Sequence, residues 1–233
     1  MTVELVRTRL PNPTPADDLL GPEMLVAESN HRIANNLTLI AGLVRMQASG
    51  IAKAGRPMTA DEVCLALEEV GNRIETVGRL HRLLAQIGRR PSLDLSQYLQ
   101  DIAEAAVGSM SSRGEIRLVH ASTADCEIAT HQALSLGFIV GELATNAMKY
   151  AHPTGISGCL TLGCHARPGG ATLIEIIDDG VGLPEGFDPR RDGGLGMRMV
   201  RSLADQLRAT LTFDSSAIGL TVRLLVPPGG ADG

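Results

Sequence analysis

Residues 141–150 read Gly-Glu-Leu-Ala-Thr-Asn-Ala-Met-Lys-Tyr, and two later stretches complete the pattern: Ile-Ile-Asp-Asp-Gly-Val-Gly-Leu-Pro at 176–184 and Gly-Gly-Leu-Gly at 193–196. Helical spacing places Glu142, Asn146 and Lys149 on one face, because residues three and four apart are neighbours on an α-helix. Leu136, Val140, Leu143 and Ala147 form a separate apolar stripe that should pack on a sheet. An acid, an amide and an ammonium on one polar face suit Mg²⁺–triphosphate chemistry. The amide oxygen can ligate the metal, the carboxylate can orient a water or activate a nucleophile, and the lysine can neutralise phosphate. Taken alone, the trio also describes an ordinary solvated helix face. The later stretches make it more specific. An apolar strand ending in Asp178, then Gly180 and Gly182, lets the backbone approach a flat ligand, and Asp178 can accept a hydrogen bond from an exocyclic amine such as that of adenine. Gly194 and Gly196 open a helix carrying Val200, Leu203 and Leu207, so free N–H groups and a positive helix end are available to phosphates.

Around these stretches, 116–121, 160–165, 173–177, 211–213 and 221–226 read as strands, the last with Val222, Leu224 and Val226 alternating against polar neighbours. Helical patterns run over about 131–150 and 197–208, and Leu95, Leu99, Ile102 and Ala106 mark another helix. Strands and helices that do not strictly alternate predict an α+β sandwich, with helices covering one face of a mixed sheet. Toward the N-terminus the pattern differs. Val26, Ile33, Leu37, Ile40 and Val44 recur at spacings of three, four or seven, predicting a helix with one buried seam from Met24 to about Gln47. After a Gly- and Pro-containing loop ending near Pro57, Thr59 and Glu62 read as a capping box. Val63, Leu67, Val70, Ile74, Val77, His81 and Leu84 then follow a heptad seam. Two such helices should fold back as an antiparallel hairpin. One hairpin offers too little apolar surface by itself, so a homodimeric four-helix bundle is expected. The domain boundary falls at Arg89-Arg90-Pro91. The expected division is an irregular proline-bearing tail over 1–22, the hairpin over 23–90 and the sandwich over 91–233.

On the first helix, the seam residues Ile33, Leu37, Ile40 and Val44 lie roughly 180–240° from His31 at about 100° per residue, so His31 is expected to face solvent. Glu28, Asn35 and Thr38 fall within roughly 60° of it. A phospho-acceptor imidazole needs an exposed nitrogen, with neighbours that fix its tautomer and accept its proton. An ordinary surface histidine would share the exposure, and the nucleotide-type pattern in the same chain favours the acceptor.

The segment Asn30-His31-Arg32-Ile33-Ala34-Asn35-Asn36-Leu37 closely resembles the acceptor box of sensor histidine kinases of the H-R-x-K-N-N-L subgroup, relatives of the HWE kinases. The order acid-x-x-x-Asn-x-x-Lys, Asp-x-Gly-x-Gly, Gly-x-Gly is similar to the asparagine box and two glycine boxes of the Bergerat ATPase fold, shared by histidine kinases and gyrase B. Together the resemblances cover about 23–226 and imply a two-component histidine kinase that uses ATP and Mg²⁺. His31 would be autophosphorylated and would pass the phosphoryl group to an aspartate on a response regulator receiver domain. They further imply Asn146 as Mg²⁺ ligand, Glu142 as its catalytic neighbour, Lys149 as phosphate contact and Asp178 as adenine anchor. Gly180 and Gly182 would shape the adenine pocket, and Gly194 and Gly196 the phosphate side. Two departures stand out. Ala34 replaces the usual lysine of the subgroup, and the chain has no tryptophan, so the W-x-E element of the HWE branch is missing.

With 44% hydrophobic residues the chain can bury a core, and a net charge of -5 gives no basic footprint for nucleic acid. Cys64, Cys126, Cys159 and Cys164 form no C-x-x-C pair, and no stretch reads as membrane-spanning or as a signal peptide, so a cytoplasmic protein with reduced thiols is expected. Cys164 and His165 should point to opposite faces of a strand, a poor metal geometry. His81 is expected to be a buried structural histidine, His152 a loop histidine that could lie near the nucleotide, and Arg190 and Arg191, on a short lid, solvated charges ahead of the alternative of phosphate contacts. The tail is too short for a folded sensor, so input is expected from a separate sensor protein, another chain or the nucleotide. Two other functions compete: a histidine relay protein whose ATPase-like domain has lost nucleotide binding, and another Bergerat ATPase such as an anti-sigma serine kinase. Intact boxes argue against the first, and the acceptor box disfavours the second.

Overall fold

Two long helices open the chain, α1 over Pro22–Ala54 and α2 over Ala60–Ile87, joined by the loop 55–59. The computed structural model describes residues 22–87, 92–108, 116–122, 126–154 and 156–228; the expected tail and the Arg89-Arg90-Pro91 boundary lie outside them. The capping box forms as read. Glu62 N–H donates to Thr59 Oγ1 at 3.2 Å, and Thr59 N–H donates to Glu62 Oε2 at 2.9 Å. Arg56 Nη1 also donates to Glu62 Oε2 at 3.0 Å. Led by Arg56, with the Thr59 N–H next, these donors hold the Glu62 carboxyl down at about 2.

The chain divides into two units, Met1–Leu39 and Ile40–Gly233. In the first, the Thr38 hydroxyl donates to the Ala34 carbonyl at 2.8 Å, and Leu37 is 60% exposed. In the second, α1 buries Leu43 rather than the expected seam residue Val44, which is 50% exposed. Along α2 the heptad seam behaves in two halves. Its Val77 and Leu84 are buried, together with Leu80 outside the expected seam, whereas Val63 and Leu67 are exposed. The covering element for the buried half is a helix of the sandwich, since Leu80 and Thr76 approach Gly137 and Gly141. His81 sits half-buried.

The sandwich follows in the order β1 (Ser92–Asp94), α3 (Leu95–Gly108), β2 (Ile116–His120), β3 (Glu127–Ala129), α4 (Thr130–Tyr150), β4 (Gly158–Ala166), β5 (Thr172–Asp178), α5 (Leu195–Gln206), β6 (Thr210–Ser216) and β7 (Gly219–Val226). Five strands form one mixed sheet in the order β2-β4-β5-β7-β6, with only β2 and β4 parallel; β1 and β3 make a small antiparallel pair. Register aligns Leu162, Ile176 and Val222 across three strands, and Cys164, Ile174 and Leu224 beside them. All six are buried, beneath α3, α4 and α5, which contribute Tyr98, Leu99, Leu136, Ile139, Met199 and Leu203. The intervening residues face the other way. There Glu175 Oε1 accepts from Arg223 Nε at 2.8 Å, and its other oxygen lies 3.4 Å from His165 Nε2. Cys164 and His165 thus occupy opposite faces, as strand alternation requires. The helix-covered, mixed-sheet architecture is the one expected from the sequence.

Candidate active site

The three polar stretches are brought together at one end of the sheet. Helix α4 presents Glu142 and Asn146, β5 ends in Asp178, and α5 begins at Leu195 within the last glycine stretch. Glu142 is buried and Lys149 exposed, so the shared helix face runs from interior to solvent.

Glu142 has a partner the sequence did not announce. Arg73 of α2 donates from Nη2 to Oε2 at 3.2 Å, and its Nε lies 3.2 Å from Oε1; this Nε is near enough for an ion pair but not aimed for a hydrogen bond. Arg73 Nη1 is fixed by the Glu69 carbonyl at 3.0 Å. Burial lifts the Glu142 carboxyl above its ordinary value, and Arg73 and Lys149 pull it partly back. Gly196 closes over this pair. A Cβ at 196 would collide with Glu142 Oε2 and come within 2.8 Å of Arg73 Nη2, so close approach to the ion pair is one reason for glycine there.

Asn146 donates from Nδ2 to the Met197 sulfur at 3.6 Å, across to the first turn of α5. Its Oδ1 has no hydrogen bond among the described residues, which fits a metal-ligating role. At the strand end, Asp178 Oδ1 accepts from Gly180 N–H at 3.0 Å and Leu220 N–H at 3.3 Å. Burial raises the Asp178 carboxyl, with these N–H groups opposing. Gly182 has φ +71, a conformation that L side chains rarely adopt. Gly194 caps α5 with open space around its α-carbon, leaving room beside the helix start.

The segment between the glycine stretches is held by Arg201 of α5, whose Nη1 donates to the Pro189 carbonyl at 2.8 Å and the Asp192 carbonyl at 2.7 Å. Arg190 and Arg191 are exposed, and Arg191 lies 3.4 Å from Asp188. His152, just past α4, is more than a loop histidine: its Nε2 lies 2.9 Å from Asp179 Oδ1. That oxygen also accepts from Cys159 N–H at 2.8 Å. Burial works against the Asp179 carboxylate, but the Cys159 N–H and His152 together hold the carboxyl below its ordinary value. His31 lies in α1, and its side chain is outside the described residues. Arg73 and Arg201 could not be found by pattern, since their partners are separated from them in sequence.

A buried acid, an open amide oxygen, a strand-end carboxylate and an open helix start thus share one end of a helix-backed mixed sheet. Residues 28–110 match the family model described as histidine kinase, and residues 131–230 match the model for histidine kinase-, DNA gyrase B-, and HSP90-like ATPase. The chain thus carries a region of histidine kinase type followed by a region of an ATP-binding family that includes histidine kinases. It is 30% identical over 207 residues to blue-light-activated histidine kinase 2 of Erythrobacter litoralis, covering 87% of this chain and 56% of that protein. It is 27% identical over 224 residues to the sensor histidine kinase PdtaS of Mycobacterium tuberculosis, covering 91% of this chain and 41% of that one. Among solved structures, a blue-light activated histidine kinase of Erythrobacter litoralis superposes with TM-score 0.69 at 27% identity, over 93% of this chain and 63% of that chain. The chain thus spans about half the length of the curated relatives it matches.

Proposed function

We propose that this protein is an ATP-dependent histidine kinase that autophosphorylates His31 and passes the phosphoryl group to an aspartate of a response regulator receiver domain. The observation that carries the reading is the convergence of Glu142, Asn146, Asp178 and the start of α5 on one end of the sheet, in a chain that also holds the acceptor box. Asn146 Oδ1 would ligate Mg²⁺, which when bound neutralises developing phosphate charge. Lys149 would contact phosphate and Asp178 would anchor adenine. Gly180 and Gly182 would shape the adenine pocket, and Gly194 and Gly196 the phosphate side. Glu142 would be the catalytic neighbour of the metal ligand. In the transfer, an imidazole nitrogen of His31 bonds to the γ-phosphorus, the bond to the leaving ADP oxygen breaks, and the imidazole proton passes to a nearby acceptor. The domain division at residue 90, a homodimer and a cytoplasmic location belong to the same reading. Val44, Val63 and Leu67, exposed on the two long helices, supply apolar surface for a second copy. No described helix is long and apolar enough to cross a membrane.

Incubation with γ-labelled ATP and Mg²⁺ tests the proposal. Acid-labile, base-stable label is expected on the wild type and on neither His31→Ala nor Asn146→Ala. A wild type that stays unlabelled and binds no ATP would overturn it in favour of a relay protein.

A further inference from the structure

Between the end of α4 and the loop after β5 lies a set of contacts that the pattern of boxes does not explain. The His152 side chain is 9% exposed although it lies outside any helix or strand, and its Nε2 lies 2.9 Å from Asp179 Oδ1. The Asp179 oxygen is shared with the first residues of β4, through Cys159 N–H at 2.8 Å. One carboxylate therefore ties three segments: the end of the helix bearing Asn146 and Lys149, the start of β4, and the turn bearing Asp178. Two close approaches accompany it. A Cβ at Gly158 would run into the His152 ring, and a Cβ at Gly180 would run into Ala151. Val181 N–H also donates to the Ala151 carbonyl at 3.0 Å. The neighbouring Asp178 accepts both of its backbone N–H bonds through Oδ1, and no hydrogen bond to its Oδ2 is found among the described residues.

We infer that His152 is a positioning residue for nucleotide binding: by pinning Asp179, it fixes the turn that carries Asp178 against the end of the helix that carries Asn146 and Lys149. The inference rests on the reading of Asp178 as the adenine anchor. The carboxylate requires a donor, so Nε2 carries the proton in either the neutral or the charged imidazole. Asp179 directly follows Asp178, the last residue of β5, so the two share one peptide link. Holding the second in place sets the direction of the first. Without His152, Asp179 loses its side-chain partner, and the turn's link to the end of α4 falls back on the Val181 N–H bond to the Ala151 carbonyl. His152 reaches no substrate atom by this argument. Its effect should appear in binding and not in the chemical step, the signature of uniform binding energy.

The test measures ADP affinity by calorimetry, together with KM for ATP and kcat of autophosphorylation, on the full chain. His152→Ala is expected to weaken ADP binding by about tenfold, the order lost when a residue that orients a ligating group is removed. KM for ATP should rise in step with kcat unchanged. His152→Gln, whose amide can donate from nearly the same place, should restore most of the affinity. Asp179→Ala should weaken binding as His152→Ala does, and combining the two should add little, because they remove one interaction. ADP affinity of His152→Ala within about twofold of wild type, with Asp178→Asn clearly weakened, would overturn the inference and leave the anchor standing. Equal losses in His152→Gln and His152→Ala, each with a lowered melting temperature, would reduce His152 to packing and also overturn it. Unchanged binding in Asp178→Asn would overturn the adenine-anchor reading itself, and this role with it. Should His152→Ala fail to fold, Asp179→Ala and His152→Gln decide the matter by the same criteria.

Discussion

Replacing Arg73 by alanine removes the counter-ion from a buried carboxylate without touching helix α4. The Arg73 and Glu142 side chains are 14% and 10% exposed, so water restores little of what the mutation takes away. At an effective dielectric of about 20, opposite unit charges about 4 Å apart attract by about 4 kcal/mol, and breaking a buried pair costs about 3–5 kcal/mol. Residual exposure lowers the expectation to about 3 kcal/mol at neutral pH. Urea denaturation at that loss should shift the midpoint by about 1–2 M. The loss should also depend on pH with a definite sign. Glu142 already stands above its ordinary value of 4.5, burial outweighing Arg73 and Lys149. A carboxyl raised in the folded state contributes stability that is full below the unfolded value and is lost as pH rises through the folded one. Removing Arg73 raises the folded value further, so the gap between variant and wild type should widen as pH rises above the ordinary carboxyl value. Glu142→Gln in the Arg73→Ala background should recover stability at the upper end. A variant within about 0.5 kcal/mol of wild type, or a gap that narrows with rising pH, would refute the ion pair as described.

Gly196→Ala places a methyl group against Glu142 Oε2 and Arg73 Nη2, so labelling of His31 should fall by at least about tenfold and ADP binding should weaken, measured by γ-labelled ATP and calorimetry. Tyr98 is buried in the α3–α4 interface and donates from its hydroxyl to the Ala133 carbonyl at 3.1 Å, so Tyr98→Phe should lower stability by about 1 kcal/mol in denaturation with kinase activity unchanged.

The parts of this molecule that could be read from sequence are those whose period is local. Strand β7 showed itself by alternation, its neighbour β5 as an apolar run ending in Asp178, and α4 by an apolar stripe distinct from the Glu142, Asn146, Lys149 face. The Thr59–Glu62 cap lay within four residues and formed as read. What periodicity does not contain is the identity of the covering surface. The heptad seam of α2 predicted burial at Val77 and Leu84 correctly, but α4 covers that half, and Val63 and Leu67 stay exposed. On α1 the choice between Leu43 and Val44 turned on one residue of helical phase, about 100°, which short windows do not resolve. Arg73 and His152 are functional candidates of the same hidden kind. Each is an unremarkable residue until the fold sets a carboxylate beside it, 69 residues away for Arg73 and 27 for His152.

Among the described residues, the order of the sheet leaves β6 at one edge, paired only with β7. An unpaired row of N–H and C=O groups invites strand addition, the first step of amyloid-like growth. Along β6, Thr210, Thr212, Asp214, Ser215 and Ser216 are exposed while Leu211 and Phe213 turn inward half-buried. Any strand docking there would have to desolvate the Asp214 carboxylate, which is 74% exposed and lies 3.8 Å from Arg223. A charge at that position makes lateral growth unfavourable, so the edge of the nucleotide domain is guarded against self-association by the same residues that make it look featureless in sequence.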